Sequence, residues 1–187
     1  MTQARETRTL LLDEAGIRRA LTRIAHEIVE QADEAPLAFI GIRTRGVHLA
    51  ARLAKLATEI TAAKTPVPVG ELDITLYRDD LDTLSDRRVL NATQVDFDVS
   101  GYRIVLVDDV LFTGRTVRAA LGAITDLGRP RRIELAVLVD RGHRELPIRP
   151  DYVGRNQPTR KDETVKLSLK EEEGIDQLDL VSREVRE

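Results

Sequence analysis

Ile104–Thr116 reads IVLVDDVLFTGRT, and the fold class follows from it. Ile104 to Val107 is an unbroken apolar run too short for a helix, the pattern of a strand buried on both faces of a parallel sheet. Asp108 and Asp109 stop the apolar run, and Thr113-Gly114-Arg115-Thr116 leads into a helix that closes near Gly128. Outward from this unit the alternation repeats. Ile133–Val139 is a second core strand, and Leu37–Ile42 is a third, followed by the turn Arg43-Thr44-Arg45-Gly46 and a helix over Val47–Ile60. Asp13 is placed to cap a first helix that runs to about Asp33 and buries Ile17, Leu21, Ile24 and Ile28 as one stripe. Strands alternating with helices describe an α/β chain, a single domain over residues 1–187 with a central, mostly parallel sheet flanked by helices.

Two weaker strands complete this reading. Leu72, Ile74 and Leu76 alternate with Glu71, Asp73 and Thr75, so a half-exposed strand runs into Tyr77-Arg78-Asp79-Asp80; Val165, Leu167 and Leu169 mark a last edge strand. Leu81–Ser100 is polar and irregular. With no cysteine, no apolar run of bilayer length and no leader pattern at Met1, a soluble cytoplasmic protein with no membrane partner is expected. The formal charge of -3 excludes a uniformly basic coat, but charge is unevenly placed. Arg129–Lys166 holds ten Lys or Arg against six Asp or Glu, whereas Leu167–Glu187 holds three against seven.

Ligands of an open parallel sheet gather beyond the carboxyl ends of its strands, where Asp108 and Asp109 are expected. Thr113–Thr116 opens a helix, so free backbone N–H groups, two hydroxyls and the positive helix end can hold one phosphate there, with Gly114 supplying the positive φ of an anion nest. No lysine follows the glycine, which excludes a Walker loop. Carboxylates repel a phosphate but accept hydrogen bonds from ribose hydroxyls, so a phosphate cradle beside two aspartates describes a phosphorylated sugar. Ile42–Gly46 also ends a strand before a helix and offers a second anion site with Arg45. Paired acids alone would equally describe a receiver-like domain whose strand ends in two aspartates.

The whole run resembles the signature of type I phosphoribosyltransferases, which bind 5-phosphoribosyl-1-pyrophosphate (PRPP). IRRALTRIAHEI at 17–28, GELDITLYRDDL at 70–81 and VLVDRGHRELPIRPDYVG at 137–154 extend the resemblance over nearly the whole chain, to the PyrR family of bifunctional pyrimidine-operon regulators. The resemblance implies a type I phosphoribosyltransferase fold with a flexible hood, conversion of uracil and PRPP to UMP and pyrophosphate, and binding of the pyrimidine-operon leader mRNA when UMP is bound. By position, Asp108 and Asp109 would hold the ribose hydroxyls with Mg2+ carried nearby by PRPP. Val110, Leu111, Phe112, Thr113, Gly114, Arg115 and Thr116 would form the 5′-phosphate loop. Thr44, Arg45 and Gly46 would form the pyrophosphate loop, with a non-proline cis peptide between Thr44 and Arg45. Tyr77 and Arg78 begin the hood, Arg45 and Arg78 stabilise the leaving anion, and Arg88 is a further substrate contact. Arg141 and the backbone after Val139, with Val165, are candidates for the pyrimidine end.

Arg19, Thr22, Arg23 and His26 fall on the polar face of the first helix, and Arg144, Arg149 and Arg155 lie in the net-positive segment. A charged helix face is by itself only a solvated face; the resemblance makes these residues the RNA-binding candidates, and because a small domain presents little basic surface a homodimer or larger assembly is expected. A purine-base salvage transferase without an RNA role is the alternative, and a PRPP-sensing DNA regulator a further one.

Overall fold

In a computed structural model, residues 5–74 and 93–184 are described. They run β1 (Arg5–Leu12), α1 (Glu14–Glu30), β2 (Leu37–Ile42), α2 (Arg45–Thr61), β3 (Val69–Leu72), β4 (Arg103–Leu111), α3 (Arg115–Leu127), β5 (Arg132–Asp140), β6 (Tyr152–Asn156), β7 (Glu163–Ser168), α4 (Lys170–Glu173) and β8 (Gln177–Glu184). Five strands form a parallel sheet in the order β3-β2-β4-β5-β6, and β1-β8-β7 form a separate antiparallel sheet.

Each helix follows from its amphipathic stripe. Asp13 caps α1 by accepting from the Gly16 N–H at 2.7 Å, and Ile17, Leu21, Ile24 and Ile28 are all buried. The helix stops at Glu30, short of Asp33, because the Asp33 carboxylate accepts from the Ala35 N–H in a local turn that leads into Pro36. One face of the parallel sheet packs Val105 and Val107 against α1 and α2, joined by Val165, Leu167, Leu169 and Leu178; the other packs Ile104 and Leu106 against α3.

Several boundaries differ from the sequence expectation. β4 runs on through Asp108 and Asp109 to Leu111, because β5 continues beside it to the Leu111–Asp140 pair, so the two aspartates belong to the strand rather than to the loop beyond it. β3 pairs one step earlier than the alternation suggested, with Ile42 opposite Leu72; Leu76 lies outside the described residues. The strand around Val165 is an edge strand, but of the second sheet rather than the main one, and Val165 itself is buried in the core with Leu167.

A polar network ties the layers together at the edge of the sheet remote from the aspartates. Arg103 is 1% exposed and donates to Glu134 Oε2 (2.6 Å), the Ile28 carbonyl (2.9 Å) and Tyr152 Oη (2.8 Å), so one guanidinium clamps the end of α1 to β4, β5 and β6. Burial and then the neighbouring Glu134 charge push the Tyr152 hydroxyl up to about 12, so it stays a neutral donor. Breaking a buried pair from one side costs about 3–5 kcal/mol. Arg103→Met is therefore expected to lower stability by about that amount, and Tyr152→Phe by about 1 kcal/mol. Urea unfolding checks both, and equal losses would contradict the clamp.

Candidate active site

Parallel pairing of β2 with β4 sets the end of one strand beside the end of the other. Just past β2, Thr44 is the N-cap of α2 and makes no side-chain capping bond, so its hydroxyl and the leading amides of the helix face outward from the strand end. Gly46 is needed here: a Cβ at this position would lie 2.5 Å from the Val107 carbonyl oxygen and 3.3 Å from Asp108 Cα. The first turn of α2 thus rests directly on the backbone that carries Asp108. A cis peptide is present in this loop, but it joins Arg43 to Thr44 rather than Thr44 to Arg45. The Arg43 N–H is still held by the Leu72 carbonyl (3.0 Å), and Thr44 is already in a helical conformation, so the turn is made one residue earlier than expected.

A cavity of about 710 Å3 opens at this junction. It is lined by Arg43, Thr44, Arg45 and His48 on one side, Asp108, Asp109, Val110 and Thr116 on another, and Glu71, Asp73 and Glu172 around them. Arg43 pairs with Glu71 at 2.8 Å and Arg45 with Glu173, yet Nε of both arginines is buried without a hydrogen-bond partner among the described residues. Buried donors without acceptors are exceptional in folded proteins. Asp108 Oδ1 accepts from the Asp109 N–H (2.9 Å) and Asp109 Oδ1 from the Val110 N–H (2.8 Å). Burial, reinforced by the adjacent Asp109 charge, holds the Asp108 carboxyl well above the usual carboxylate range.

The second anion loop spans β4 and α3. Gly114, at φ 94°, is the N-cap of α3, a conformation that glycine adopts without strain. The loop is held from behind by the segment after β5: the Thr113 carbonyl accepts from the Glu145 and Leu146 N–H groups (3.0 and 3.2 Å), and Arg144 donates to the Phe112 carbonyl (2.7 Å). Arg144 also pairs with Asp140 and donates to the Ile148 carbonyl at 3.0 Å. Its side chain therefore braces the phosphate loop while staying about a fifth exposed. The basic segment read from the sequence concealed this bracing role. Glu145 joins it by pairing with Arg115 at 2.8 Å.

Beyond β5, the Arg141 guanidinium lies 4.1 Å from the centroid of the half-exposed Phe112 ring and is fixed by Thr159 Oγ1 (3.1 Å) and the Glu163 carbonyl (2.6 Å). Among the RNA candidates, Arg19, Arg23 and His26 are exposed along α1, and the Thr22 hydroxyl bonds the Arg18 carbonyl at 2.9 Å. Arg23 reaches from α1 to the Val153 and Gly154 carbonyls (both 2.9 Å), beside Arg155 on β6. Arg149 is exposed on the segment after β5. Tyr77, Arg78 and Arg88 lie outside the described residues. Glu71, Asp73, His48 and Glu172 escaped sequence reasoning because only the tertiary fold brings them to the end of β4.

Two anion loops flanking a carboxylate pair at the end of a parallel sheet define a phosphoribosyltransferase. The phosphoribosyl transferase domain family matches residues 8–172. A bifunctional protein PyrR from Deinococcus radiodurans is 58% identical over 175 residues, covering 93% of this chain and 94% of that protein. One from Pelotomaculum thermopropionicum is 61% identical over 165 residues, covering 88% and 90%. The solved hypoxanthine phosphoribosyltransferase of Trypanosoma cruzi shares the fold, with a TM-score of 0.68 at 19% identity over 94% of this chain and 97% of that one. The chain belongs to the PyrR family of bifunctional proteins, within the type I phosphoribosyltransferases. With that family come the two activities expected from sequence, uracil phosphoribosyltransferase and regulation of pyrimidine genes by transcription attenuation.

The raised Asp108 carboxyl has a consequence for stability. A carboxyl that binds its proton more tightly folded than unfolded loses stability as pH rises above the ordinary carboxylate range. Asn keeps the acceptor for the Asp109 N–H and does not titrate. Asp108→Asn should therefore melt at a higher temperature than the parent at pH 7, with the gap closing as pH falls toward about 4. Parallel melting curves at every pH would contradict the assignment.

Proposed function

We propose that PRPP lies across the cavity with its diphosphate on Arg43–Gly46, its ribose hydroxyls on Asp108 and Asp109, and its 5′-phosphate on Thr113–Thr116. The observation that carries this is the pairing of two arginines with unfilled buried donors and two aspartates in one cavity. Like charge supports a cation-carried substrate: Glu71, Asp73, Asp108, Asp109 and Glu172 line the cavity against Arg43 and Arg45, so a bare polyphosphate would be repelled. The carboxyls of Asp108 and Asp109, both on the cavity wall, fit hydroxyls and the water shell of an ion that arrives on PRPP. Bound with PRPP, Mg2+ supplies charge neutralisation for the diphosphate.

In the transfer, the bond from ribose C1 to the diphosphate oxygen breaks, uracil N1 bonds to C1, and the N1 proton leaves. Arg45, with Arg78, takes up the charge on the departing diphosphate. The Arg141–Phe112 pair flanks the uracil end: Phe112 offers a ring face, and Arg141 is already fixed by Thr159 and Glu163. Replacing both Asp108 and Asp109 with Asn should lower UMP formation from uracil and PRPP at least about 100-fold, the order expected when hydrogen bonds to two charged acceptors are lost. Normal turnover would refute the site. Turnover of guanine or hypoxanthine at the rate of uracil would favour a purine salvage enzyme.

The leader mRNA contacts the α1 face through Arg19, Thr22, Arg23 and His26, with Arg155 alongside. A homodimer or larger assembly multiplies this small face. UMP in the cavity tightens RNA binding, and RNA then tightens UMP by the same factor. Arg19→Gln should weaken leader-RNA binding and flatten its log-log salt slope by about one unit or slightly less, with uracil turnover unchanged. Loss of turnover alongside RNA binding in the folded variant would defeat separate surfaces.

A further inference from the structure

Arg45, His48 and Arg52 lie at spacings of three and four residues along one face of α2. Across them lies the acidic turn of α4, in antiparallel order: Glu173 pairs with Arg45, Glu172 with His48 at 2.8 Å, and Glu171 with Arg52 at 2.6 Å. The three contacts are unequal. Arg52 is a fork, holding Glu171 through Nε and Nη2 and Asp176 through Nη1 and the shared Nη2 at 2.8 Å each, while Asp176 is buried and also accepts from the Lys170 N–H. That end anchors the turn, and both carboxyls there are held below their ordinary values, with hydrogen bonds to Arg52 overcoming the burial of Asp176. The other end is open, since the Arg45 and Glu173 side chains are each about a third exposed. Glu172 lines the cavity itself.

We propose that the acidic turn is an autoinhibitory latch, in which Glu173 occupies the Arg45 guanidinium in the empty enzyme and the diphosphate of the substrate displaces it. The inference rests on the reading of Arg45 as a diphosphate ligand. A carboxylate and a diphosphate are both anions that seek the same fork, and a part-exposed ion pair is weak enough to exchange. Retaining both would put Glu172, Glu173 and the diphosphate together, which is repulsive; the Arg52 anchor lets the turn give way at Arg45 without leaving the protein. Displacement sets a threshold, so that only a ligand with more charge than one carboxylate opens the site. The opposite role, a brace that aims Arg45 at the diphosphate, predicts the reverse effect of removing the Glu173 charge.

Glu173→Gln separates the two, because the amide oxygen can still accept from the Leu169 N–H, now held at 2.9 Å by Glu173 Oε2, while the negative charge facing Arg45 is removed. Magnesium pyrophosphate is titrated calorimetrically into the full-length parent, Glu173→Gln and Arg45→Gln. Glu173→Gln is expected to bind about threefold tighter or more, the order of a part-exposed ion pair, and Arg45→Gln to bind more weakly than the parent. In the parent, amide hydrogen exchange over 170–174 should quicken on adding magnesium pyrophosphate. Unchanged or weaker binding by Glu173→Gln, with Arg45→Gln still impaired, overturns the latch alone; slowed exchange over 170–174 overturns it independently. Parent-like binding by Arg45→Gln overturns the diphosphate reading and the latch with it.

Discussion

The first turn of α2 rests on the backbone of β4, with only hydrogen at Gly46 between it and the Val107 carbonyl. Everything at the site depends on that approach. It brings the cationic loop at Arg43–Arg45 against the strand that carries Asp108, and pairing of β4 with β5 then fixes Leu111 opposite Asp140, from which the braces of the phosphate loop depart. The aspartates are held as strand residues, by pairing of β4 with β5 on one side, rather than as members of a loop. A constellation placed by a rigid sheet keeps its geometry while the segments around it move.

Charge explains why the site is built in this crowded way. Carboxylates outnumber arginines along the cavity wall, and burial makes ionised Asp108 costly. That cost is relieved when hydroxyls or a cation approach, so an empty site that is electrostatically uncomfortable becomes a favourable one around the substrate. The Arg103 network at the opposite edge has the contrary character. Its guanidinium is filled by Glu134, Ile28 and Tyr152 and serves cohesion, whereas Arg43 and Arg45 keep buried donors unfilled. The contrast between satisfied and unsatisfied arginines separates scaffold from site in this molecule.

What could be read in the sequence was what local physics encodes. The apolar run before Asp108, the Gly114 turn and the Asp13-capped stripe of α1 each depend on neighbours within a few residues, and all three stand in the structure. β1 was not legible, because its residues Glu6 to Leu10 are exposed on both faces and carry no alternation. β8 hides in an acidic tail whose charges mask Leu178 and Val181. The bracing contacts of Arg144 were not legible, because its partners, Asp140 and the Phe112 carbonyl, are chosen by tertiary packing. The pairing of Arg45, His48 and Arg52 with an acidic turn more than a hundred residues away leaves no periodic trace at all.

The approach of α2 to β4 is open to a direct test with one methyl group. Calorimetric titration of PRPP with Mg2+ into the Gly46→Ala variant would read it, with far-UV circular dichroism to confirm the fold. A Cβ 2.5 Å from the Val107 oxygen must push the turn away from Asp108, so PRPP affinity should fall about tenfold or more while secondary structure is retained. Parent-like affinity in a folded Gly46→Ala variant would show that the contact does not set the geometry of the site.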